Sequence, residues 1–296
     1  MCNNEPMNNG RDILDGFRGH SIAMYSTWFW NDPTKCMFDA GEGLSTSLRN
    51  YVFAIKNVFL SHGHHDHISG LPSLVLTRGA AHGDKEKPFS VFHPGGWDTI
   101  DSLKTYIKAI SKGTMCNVDW NIVEPGQDIP ISDDKKKVVR PFRVNHSWGV
   151  CFGYALIEKR VRLRKEFVGL SPREIGAIAI SKGRDSVNEP YEKIVMAYSG
   201  DCSGFNPDSV KGADILFHEA TFVGDEDVKK EGGHSTVRDA VKTASEANVG
   251  GLVLFHLSVR YTVESAINAA LTAIHDFGFK GYVRFVFGRK FYTVIE

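Results

Sequence analysis

The sequence predicts an α/β protein in which two β-sheets lie between helical layers. Apolar β-type runs are mixed with helical patterns along the chain, and β and α segments alternate in its last third. The chain has 296 residues, of which 42% are hydrophobic, so it is long enough to bury a continuous core. We therefore expect one domain over residues 13–296, preceded by a flexible polar tail over residues 1–12.

Periodicity and turn residues place the individual elements. Runs rich in β-branched and aromatic residues predict strands at Ser21–Trp30, Cys36–Asp39, Val52–Ser61, Phe89–His93, Val138–Val144, Val150–Ile157, Ile194–Ser199, Ile215–His218 and Leu252–His256. Apolar residues at helical spacing predict helices at Trp97–Lys112, Thr236–Ala247 and Val263–Phe277. Ser235 is expected to cap the second helix, because its hydroxyl can accept a hydrogen bond from an exposed backbone N–H group.

One short segment, Leu60–Gly70, concentrates imidazole and carboxylate groups. Its four candidate metal ligands are His62, His64, Asp66 and His67. Two histidines at i and i+2 followed by an Asp-His pair can direct ligands at two neighbouring ions. The preceding Val58–Leu60 run is β-prone, and Gly63 permits a sharp turn. The sequence therefore predicts a dinuclear metal centre on a loop at a strand's end; the alternative is a histidine-rich surface loop that binds no metal.

Three further candidate ligands come directly after β-type runs. They are His146, Asp201 and His256. A single histidine in such a position is more often a hydrogen-bonded residue of the core or its rim. The three together, in this order after the first motif, are far more specific than any one of them.

The ligand pattern resembles that of the metallo-β-lactamase superfamily over about Phe38–Tyr261. The matching parts are the His-x-His-x-Asp-His motif, the later His, Asp and His, and the early Asp39-Ala-Gly41 turn. The resemblance implies a four-layer αββα metallo-β-lactamase sandwich. It also implies one ion on His62, His64 and His146, a second on Asp66, His67 and His256, and Asp201 as the bridge. Nitrogen and carboxylate ligands suit two Zn²⁺ ions, with Mn²⁺ or Fe²⁺ as alternatives.

Two motifs outside the ligands resemble the ribonuclease Z branch of this superfamily. They are Phe217-His-Glu-Ala-Thr221 and Gly233-His-Ser-Thr236, and the run from His256 to Tyr261 is similar to the final-ligand strand of that branch. The resemblance implies cleavage of a phosphodiester by hydroxide generated between two metal ions.

The same resemblance suggests a role for each of five residues in that chemistry. Asp66 would orient or deprotonate the attacking water, and His234, held by Glu219, would protonate the leaving alkoxide. Arg260 would bind the phosphate, with a further contact from Ser258. The alternative for Glu219 and His234 is an ion pair that supports the following helix. His218 is expected to be structural, because neighbouring strand residues point to opposite faces.

The sequence departs from ribonuclease Z where that branch contacts transfer RNA. The Gly-rich strand turn and the Pro-x-Lys-x-Arg-Asn loop are missing, and the interval Leu163–Glu192 is too short for a full Gly- and Pro-rich arm. The formal net charge is zero and the pI is about 7.2, whereas proteins that grip many phosphates usually carry a basic surplus. Lys159–Lys165 places alternating arginines on one strand face, which suits RNA contact, a solvated strand or a dimer contact.

These departures favour a small substrate. We expect hydrolysis of 3′,5′-cyclic nucleotides to 5′-monophosphates, as in the compact, armless anti-Pycsar phage enzymes that the chain resembles. Transfer RNA 3′-end processing by a ribonuclease Z-type endoribonuclease is the alternative. A lactonase-like acyl hydrolase and a noncatalytic nucleotide sensor are further alternatives. Five aromatic residues could stack on a base, although core packing is the simpler expectation for each: Trp28, Phe29, Trp30, Trp148 and Tyr261.

Composition also bears on compartment and assembly. The five cysteines show no paired spacing, no apolar run approaches the roughly 20 residues needed to span a bilayer, and no secretory signal is visible. We therefore expect a cytoplasmic enzyme without membrane contact. The resemblance implies a homodimer, because related enzymes often complete each active site from both subunits.

Overall fold

Two β-sheets packed face to face form the centre of the protein. The computed structural model describes residues 14–81, 88–111, 117–131, 135–224 and 232–296. The predicted tail at residues 1–12 therefore lies outside the described residues, and the single-domain expectation stays a prediction.

The first sheet contains six strands within the described residues, and they lie side by side in chain order. The strands are β1 (Phe17–Ile22), β2 (Ser26–Asn31), β3 (Cys36–Phe38), β4 (Asn57–Phe59), β5 (Phe89–His93) and β6 (Val118–Ile122). The first three are antiparallel, and β3 to β6 are parallel. Apolar side chains of α1 (Leu44–Leu48), α3 (Leu71–Ala80) and α4 (Asp98–Ile110) cover its outer face. The short α2 (His65–Ile68) and a 3-10 helix at Arg49–Ala54 complete this half.

The second sheet runs in the spatial order β14-β13-β12-β11-β10-β9-β8-β7. Its strands are β7 (Ile129–Pro130), β8 (Lys137–Val144), β9 (Cys151–Leu163), β10 (Asn188–Tyr198), β11 (Ile215–Glu219), β12 (Gly251–Phe255), β13 (Tyr282–Phe287) and β14 (Lys290–Ile295). Strands β10 to β13 are parallel to one another. Two amphipathic helices, α7 (Val237–Glu246) and α8 (Val263–Phe277), pack apolar residues on the outer face.

An aromatic layer fills the space between the sheets. Phe29 lies 5.1 Å from Phe217 and 5.3 Å from Phe255 between ring centroids, so one residue of the first sheet contacts two strands of the second. Trp28 and Trp30 point to the opposite face of β2 and pack under the helices, with 1% and 0% of their surface exposed. Both faces of β2 are thus covered, which explains its continuous apolar run. The predicted four-layer αββα metallo-β-lactamase sandwich is confirmed.

Several predicted boundaries were wrong. The predicted strand Ser21–Trp30 is two strands joined by a turn at residues 23–25, where Met24 has φ 69°. The turn was not predicted because its residues are apolar. The first part of the predicted strand Val52–Ser61 belongs to the 3-10 helix, in which Val52 is buried. The cap of α7 is Thr236, whose side chain accepts from the backbone N–H of Asp239, rather than Ser235. The end of the predicted helix Trp97–Lys112 falls at Lys112, outside the described residues.

A small projection extends from the second sheet between β9 and β10. Residues 159–163 pair with residues 188–192 beyond the end of β8, so the two strands continue as a hairpin. The helices α5 (Pro172–Lys182) and α6 (Arg184–Val187) close this hairpin, and a capping box of Ser171 and Glu174 starts α5. No residue of α5 is buried. The interval Leu163–Glu192 thus contains the end of this hairpin and two helices.

Candidate metal centre

The candidate ligands meet at one edge of the sandwich, where strands end. His62 follows β4, His146 follows β8, Asp201 follows β10 and His256 follows β12. Two of the ligands, Asp66 and His67, lie on α2 rather than on a loop, so the helix sets their spacing. The structure brings the seven residues together in two groups whose ligand atoms lie within 4.8 Å of one another. One group is His62, His64, His146 and Asp201; the other is Asp66, His67 and His256.

Asp201 lies between the two groups. Its Oδ2 atom is 3.8 Å from His62 Nε2, 3.2 Å from His67 Nε2 and 3.4 Å from His256 Nε2. Two buried ligand atoms, His62 Nε2 and Asp201 Oδ1, have no hydrogen-bond partner among the described residues. Buried polar atoms normally have partners, so a pair of such atoms aimed into a cluster of ligands fits divalent metal ions. The position of Asp201 is the one that a bridging carboxylate needs.

Asp39 organises the ligand cluster from beneath. Its carboxylate accepts hydrogen bonds from the Ser61 backbone N–H at 2.7 Å, from Tyr198 Oη at 2.5 Å and from His67 Nδ1 at 2.7 Å. The last contact fixes the imidazole and leaves Nε2 to face the cluster, as carboxylate partners of metal-bound histidines do. The sequence indicated Asp39 only as part of a turn, because its partners come from distant segments.

Hydroxyl groups orient two more histidines. Ser61 Oγ donates to Asp39, so its oxygen accepts from His62 Nδ1 at 2.9 Å. Thr221 Oγ1 donates to Glu219 in the same way and accepts from His256 Nδ1 at 2.9 Å. Each hydroxyl has one proton, which it donates in a hydrogen bond to a carboxylate. Both imidazoles therefore keep their own proton on Nδ1 and present a lone pair on Nε2 to the cluster.

Burial keeps the imidazoles of His62, His64 and His146 neutral, the form that binds metal. At His67 burial also opposes the charge, but three neighbouring carboxylates outweigh it and hold the pKa of His67 well above its ordinary value, so a metal ion would displace its proton. Burial, reinforced by the charge of His67, holds the pKa of His62 well below its ordinary value. Burial, with His146 nearby, lowers the pKa of His64 to about 4. His256 has a positive φ of 66°, a region that a residue with a side chain rarely adopts, and such conformations concentrate at functional sites.

Glu219 and His234 form a partly buried ion pair beside the candidate ligands. Glu219 Oε1 accepts from His234 Nδ1 at 3.0 Å and from the backbone N–H of Ser235 at 3.1 Å. Burial opposes the charge of His234, but Glu219 outweighs it and raises the pKa of His234 to about 9. The His234 ring lies 5.0 Å from that of His146, and its side chain remains 21% exposed. A cationic imidazole that is held at Nδ1 and reaches solvent can donate a proton from Nε2.

Ser258 and Arg260 lie together just beyond the last ligand. Arg260 Nε donates to Ser258 Oγ at 3.1 Å, and its guanidinium lies 5.9 Å from the centroid of the Phe222 ring. Ser258 is 7% exposed, and its backbone N–H donates to Thr221 O. Thr221 also touches His256 and Glu219. Thr221 thus joins the candidate phosphate contacts to a candidate metal ligand and to the Glu219–His234 pair.

Comparison with known proteins agrees with this geometry. A family profile described as "Beta-lactamase superfamily domain" matches residues 34–165. Ribonuclease Z of Halobacterium salinarum is 31% identical over 255 residues, which cover 78% of this chain and 80% of that protein. Ribonuclease Z of Bacillus licheniformis is 32% identical over 261 residues, with the same coverage. The chain belongs to the ribonuclease Z family. It is a metal-dependent phosphodiesterase of the metallo-β-lactamase superfamily.

Solved structures show the same fold for this ribonuclease Z-family chain. The metallo-β-lactamase fold protein YhfI from Bacillus subtilis superposes with a TM-score of 0.63 at 17% identity, over 93% of this chain and 99% of that one. The short form of human tRNase Z gives a TM-score of 0.58 at 23% identity, over 82% and 93% of the two chains. A diphosphatase of the PhnP family gives 0.60 at 16% identity, over 93% and 96%. At these identities the likeness concerns the fold alone.

The mouth of the centre has features that this ribonuclease Z-family sequence did not reveal. The turn between β1 and β2 reaches the ligands, because the Met24 backbone N–H donates to Asp66 Oδ2 at 3.1 Å. Such a backbone contact leaves no signal in the side chains. Trp148, two residues after His146, is 74% exposed, whereas Trp28, Phe29 and Trp30 are in the core. Tyr261 is partly buried and packs against the core.

Other histidines lie apart from the ligand cluster. His218 is buried with its ring 5.3 Å from that of Phe205, and its Nδ1 donates to Glu219 O. His20 packs near Trp28, His93 donates to Pro94 O, and His275 is 92% exposed. His82 lies outside the described residues.

Proposed function

We propose that this protein hydrolyses the bond between phosphorus and the 3′-oxygen of a nucleotide substrate, at a centre of two Zn²⁺ ions. The observation that carries the proposal is the Glu219–His234 pair, held beside two groups of ligands with Arg260 and Ser258 next to it. An acyl hydrolase such as a lactonase would need the metal ligands but has no evident use for the acid pair and the guanidinium together. Mn²⁺ and Fe²⁺ suit the same nitrogen and oxygen donors.

The bound ions would neutralise the phosphate oxygens and lower the pKa of the attacking water. His62, His64 and His146 would hold one ion, Asp66, His67 and His256 the other, and Asp201 both. The backbone N–H of Met24 fixes the Asp66 carboxylate. Asp66 would orient the water or accept its proton on the side away from the leaving group.

His234 would protonate the leaving 3′-oxygen. Glu219 holds the proton-bearing imidazole through Nδ1, so Nε2 is the atom that donates. Glu219 itself is fully buried and accepts from the backbone N–H groups of Cys202, Thr221 and Ser235, so the pair is rigid. Arg260 would bind the non-bridging oxygens that this step leaves charged.

The leading substrate is the 3′ end of a precursor RNA. The relatives that match this chain over about four fifths of their length are named ribonuclease Z. The proposed acid would supply the proton that such a cleavage needs to leave a 3′-hydroxyl. This ranking reverses the expectation from sequence alone, which placed cyclic nucleotides first.

A 3′,5′-cyclic nucleotide is the second candidate, and the projection favours it. Arg160 pairs with Glu158 at 2.7 Å, and Arg162 pairs with Glu189 at 2.7 Å. Arg164 donates to the backbone oxygen of Asn188. These arginines, which suited RNA contact in the sequence, are engaged within the protein. Breaking the same bond in a cyclic nucleotide gives a 5′-monophosphate.

A substrate panel tests the proposal. Zinc-loaded and manganese-loaded protein is given a precursor transfer RNA with a 3′ trailer and a set of 3′,5′-cyclic nucleotides, and the products are resolved by gel and chromatography. Removal of the trailer with a 3′-hydroxyl on the product supports the leading substrate; opening of the cyclic nucleotides to 5′-monophosphates supports the second. Activity on a lactone with neither nucleotide substrate cleaved would reject the proposed reaction.

A further inference from the structure

We propose that a groove beside β1, outside the metal centre, binds a phosphate of an RNA substrate. The proposal rests on the proposed phosphodiesterase function and names the polynucleotide as its substrate. The groove has a volume of about 220 Å³, and its polar lining comes from Arg18, Ser47, Tyr51 and Arg289. Two guanidinium groups and two hydroxyl groups around one cavity are the donors that phosphate oxygens accept.

Arg18 is held in place without being neutralised. It lies on β1, the edge strand of the first sheet, and donates from Nη2 to Tyr51 Oη at 3.1 Å. Its guanidinium carbon lies 4.3 Å from the centroid of the Tyr51 ring. A tyrosine ring orients a guanidinium through its negative face but carries no charge of its own. The positive charge of Arg18 thus remains available to an anion.

Arg289 reaches the same groove from the second sheet. The turn between β13 and β14 is fixed against β1 by two hydrogen bonds, in which Ser21 and Gly288 exchange backbone N–H and oxygen at 3.0 Å. Within the described part of the chain, Arg289 forms no hydrogen bond and no ion pair with a carboxylate. Burial, and then the charge of Arg289, lowers the pKa of His20 on the same strand. The charge of Arg289 therefore acts at β1.

The charge of the groove lining indicates a binding role. The net charge is zero, and surface arginines such as Arg160, Arg162 and Arg238 each pair with a carboxylate. The described residues that line the groove include no Asp or Glu. Two guanidinium groups without a carboxylate partner among the described residues therefore face one cavity.

The position of the groove relates it to the metal centre. Ser21, which fixes the β13–β14 turn, also accepts from the backbone N–H of His256 through Oγ at 2.9 Å. Arg18 lies three residues earlier on β1, or about 10 Å along the strand. A phosphate held there belongs to a nucleotide other than the one being cleaved. A cyclic mononucleotide has a single phosphate, which the metal ions would hold, so the groove serves a longer chain.

Binding of precursor transfer RNA with a non-hydrolysable scissile linkage tests the groove, measured by fluorescence anisotropy on metal-loaded protein at several salt concentrations. Arg289→Ala and the double variant Arg18→Ala/Arg289→Ala are compared with the matched control Arg238→Ala/Lys242→Ala, which removes two positive charges from α7. We expect the double variant to raise Kd about tenfold or more and to reduce the salt slope by about 1, with the control unchanged. Arg289→Ala alone should raise Kd too, and it breaks no hydrogen bond or ion pair within the described residues.

Three outcomes would overturn the proposal. The first is a Kd and salt slope in the double variant equal to those of the control. The second is a wild-type protein that does not bind RNA. The third is a groove that binds inorganic phosphate while neither arginine variant changes RNA binding. Turnover of bis(p-nitrophenyl) phosphate is measured in parallel and should stay within about twofold, because this substrate has one phosphate. RNA binding through the groove, with neither hydrolysable precursor RNA nor cyclic nucleotides cleaved, would reject the proposed function alone. RNA cleavage that is insensitive to loss of both arginines would reject the groove alone.

Discussion

At the scale of single residues, the site depends on groups that hold other groups. Asp39, Ser61 and Thr221 each touch a histidine ligand and leave its Nε2 atom to face the cluster. The candidate ligands, which the structure brings together, could be predicted from sequence because imidazole and carboxylate at close spacing have few other uses. The groups that orient them could not, because a serine, a threonine or a turn aspartate is common in any chain. Their roles follow only from contacts between distant segments.

Asp39→Asn tests this orienting layer. The amide is nearly the same size but has no charge to hold the imidazole of His67, so we expect metal affinity and kcat/KM to fall roughly 10- to 100-fold. Metal titration followed by kinetics measures both quantities. Asp32→Asn, at an exposed surface pair with Lys35, is the control; equal metal affinity in the two variants would show that Asp39 does not orient the ligands.

Trp148→Ala tests the exposed aromatic residue near His146. If its indole stacks on a base, KM for a nucleotide substrate should rise about tenfold, with little change for methyl p-nitrophenyl phosphate, which has no base. Trp148→Phe should restore most of the affinity. An unchanged KM in the alanine variant would remove Trp148 from the binding site.

At the scale of elements, close contact between backbone segments positions the ligand helix. Gly70, at the start of α3, lies against the Asp39–Gly41 turn, and its backbone N–H donates to Ala40 O at 2.8 Å. The helices α7 and α8 were predicted well because their apolar periodicity is regular. The strands of the second half were predicted less well, because β9 and β10 each extend six residues beyond the predicted bound and β13 and β14 were not predicted. Elements of three to five residues, such as α1 and α2, were missed because a short helix buries too few residues to show a period. The β1–β2 turn was missed because it contains no Gly, Pro, Asn or Asp.

Gly70→Ala tests the contact between α3 and the turn. A Cβ atom at this position would lie 2.1 Å from Gly41 O, so the turn that carries Asp39 must move. We expect a loss of about 3 kcal/mol in the free energy of unfolding, a fall in Tm of roughly 6 °C or more, and weaker metal binding. Gly176→Ala on α5 is the control, since a Cβ atom there meets no atom within 4 Å. Similar Tm values for the two variants would contradict the packing argument.

At the scale of the whole molecule, the two sheets bring ligands from both halves to one edge. His62, His64, Asp66 and His67 belong to the first half, whereas His146, Asp201 and His256 follow strands of the second. The predicted fold class and family are confirmed. Both could be predicted because the order of the ligand motifs is specific to this superfamily. The substrate could not be predicted in the same way: the relevant features are a short turn, a projection with paired arginines and a groove between sheets, none of which has a sequence motif. The described helices include none long and apolar enough to cross a membrane.

Removal of the metal tests how far the centre joins the two halves. Ligand groups with like charges and unpaired buried atoms remain when the ions leave, so the native state should lose stability. For tight binding sites at saturation we expect a fall in Tm of roughly 10 °C after chelation, reversed by added Zn²⁺. Differential scanning calorimetry measures the change in Tm. An unchanged Tm after chelation would contradict the view that bound metal ions join the two halves of the molecule.

The homodimer that the family resemblance implies stays a prediction. Sedimentation equilibrium of metal-loaded protein should give twice the monomer mass of 32.9 kDa. A single monomer mass at all concentrations would contradict it.

The most direct test of the proposed chemistry is the leaving-group dependence of His234→Ala. On the nucleotide substrate, whose 3′-oxygen needs a proton, kcat should fall roughly 10²- to 10⁴-fold, whereas turnover of bis(p-nitrophenyl) phosphate should stay within about threefold. Asp66→Ala should abolish both, and His275→Ala, at a fully solvated surface position, should change neither. Equal losses on the two substrates in His234→Ala, with metal content and Tm preserved, would contradict its assignment as the general acid.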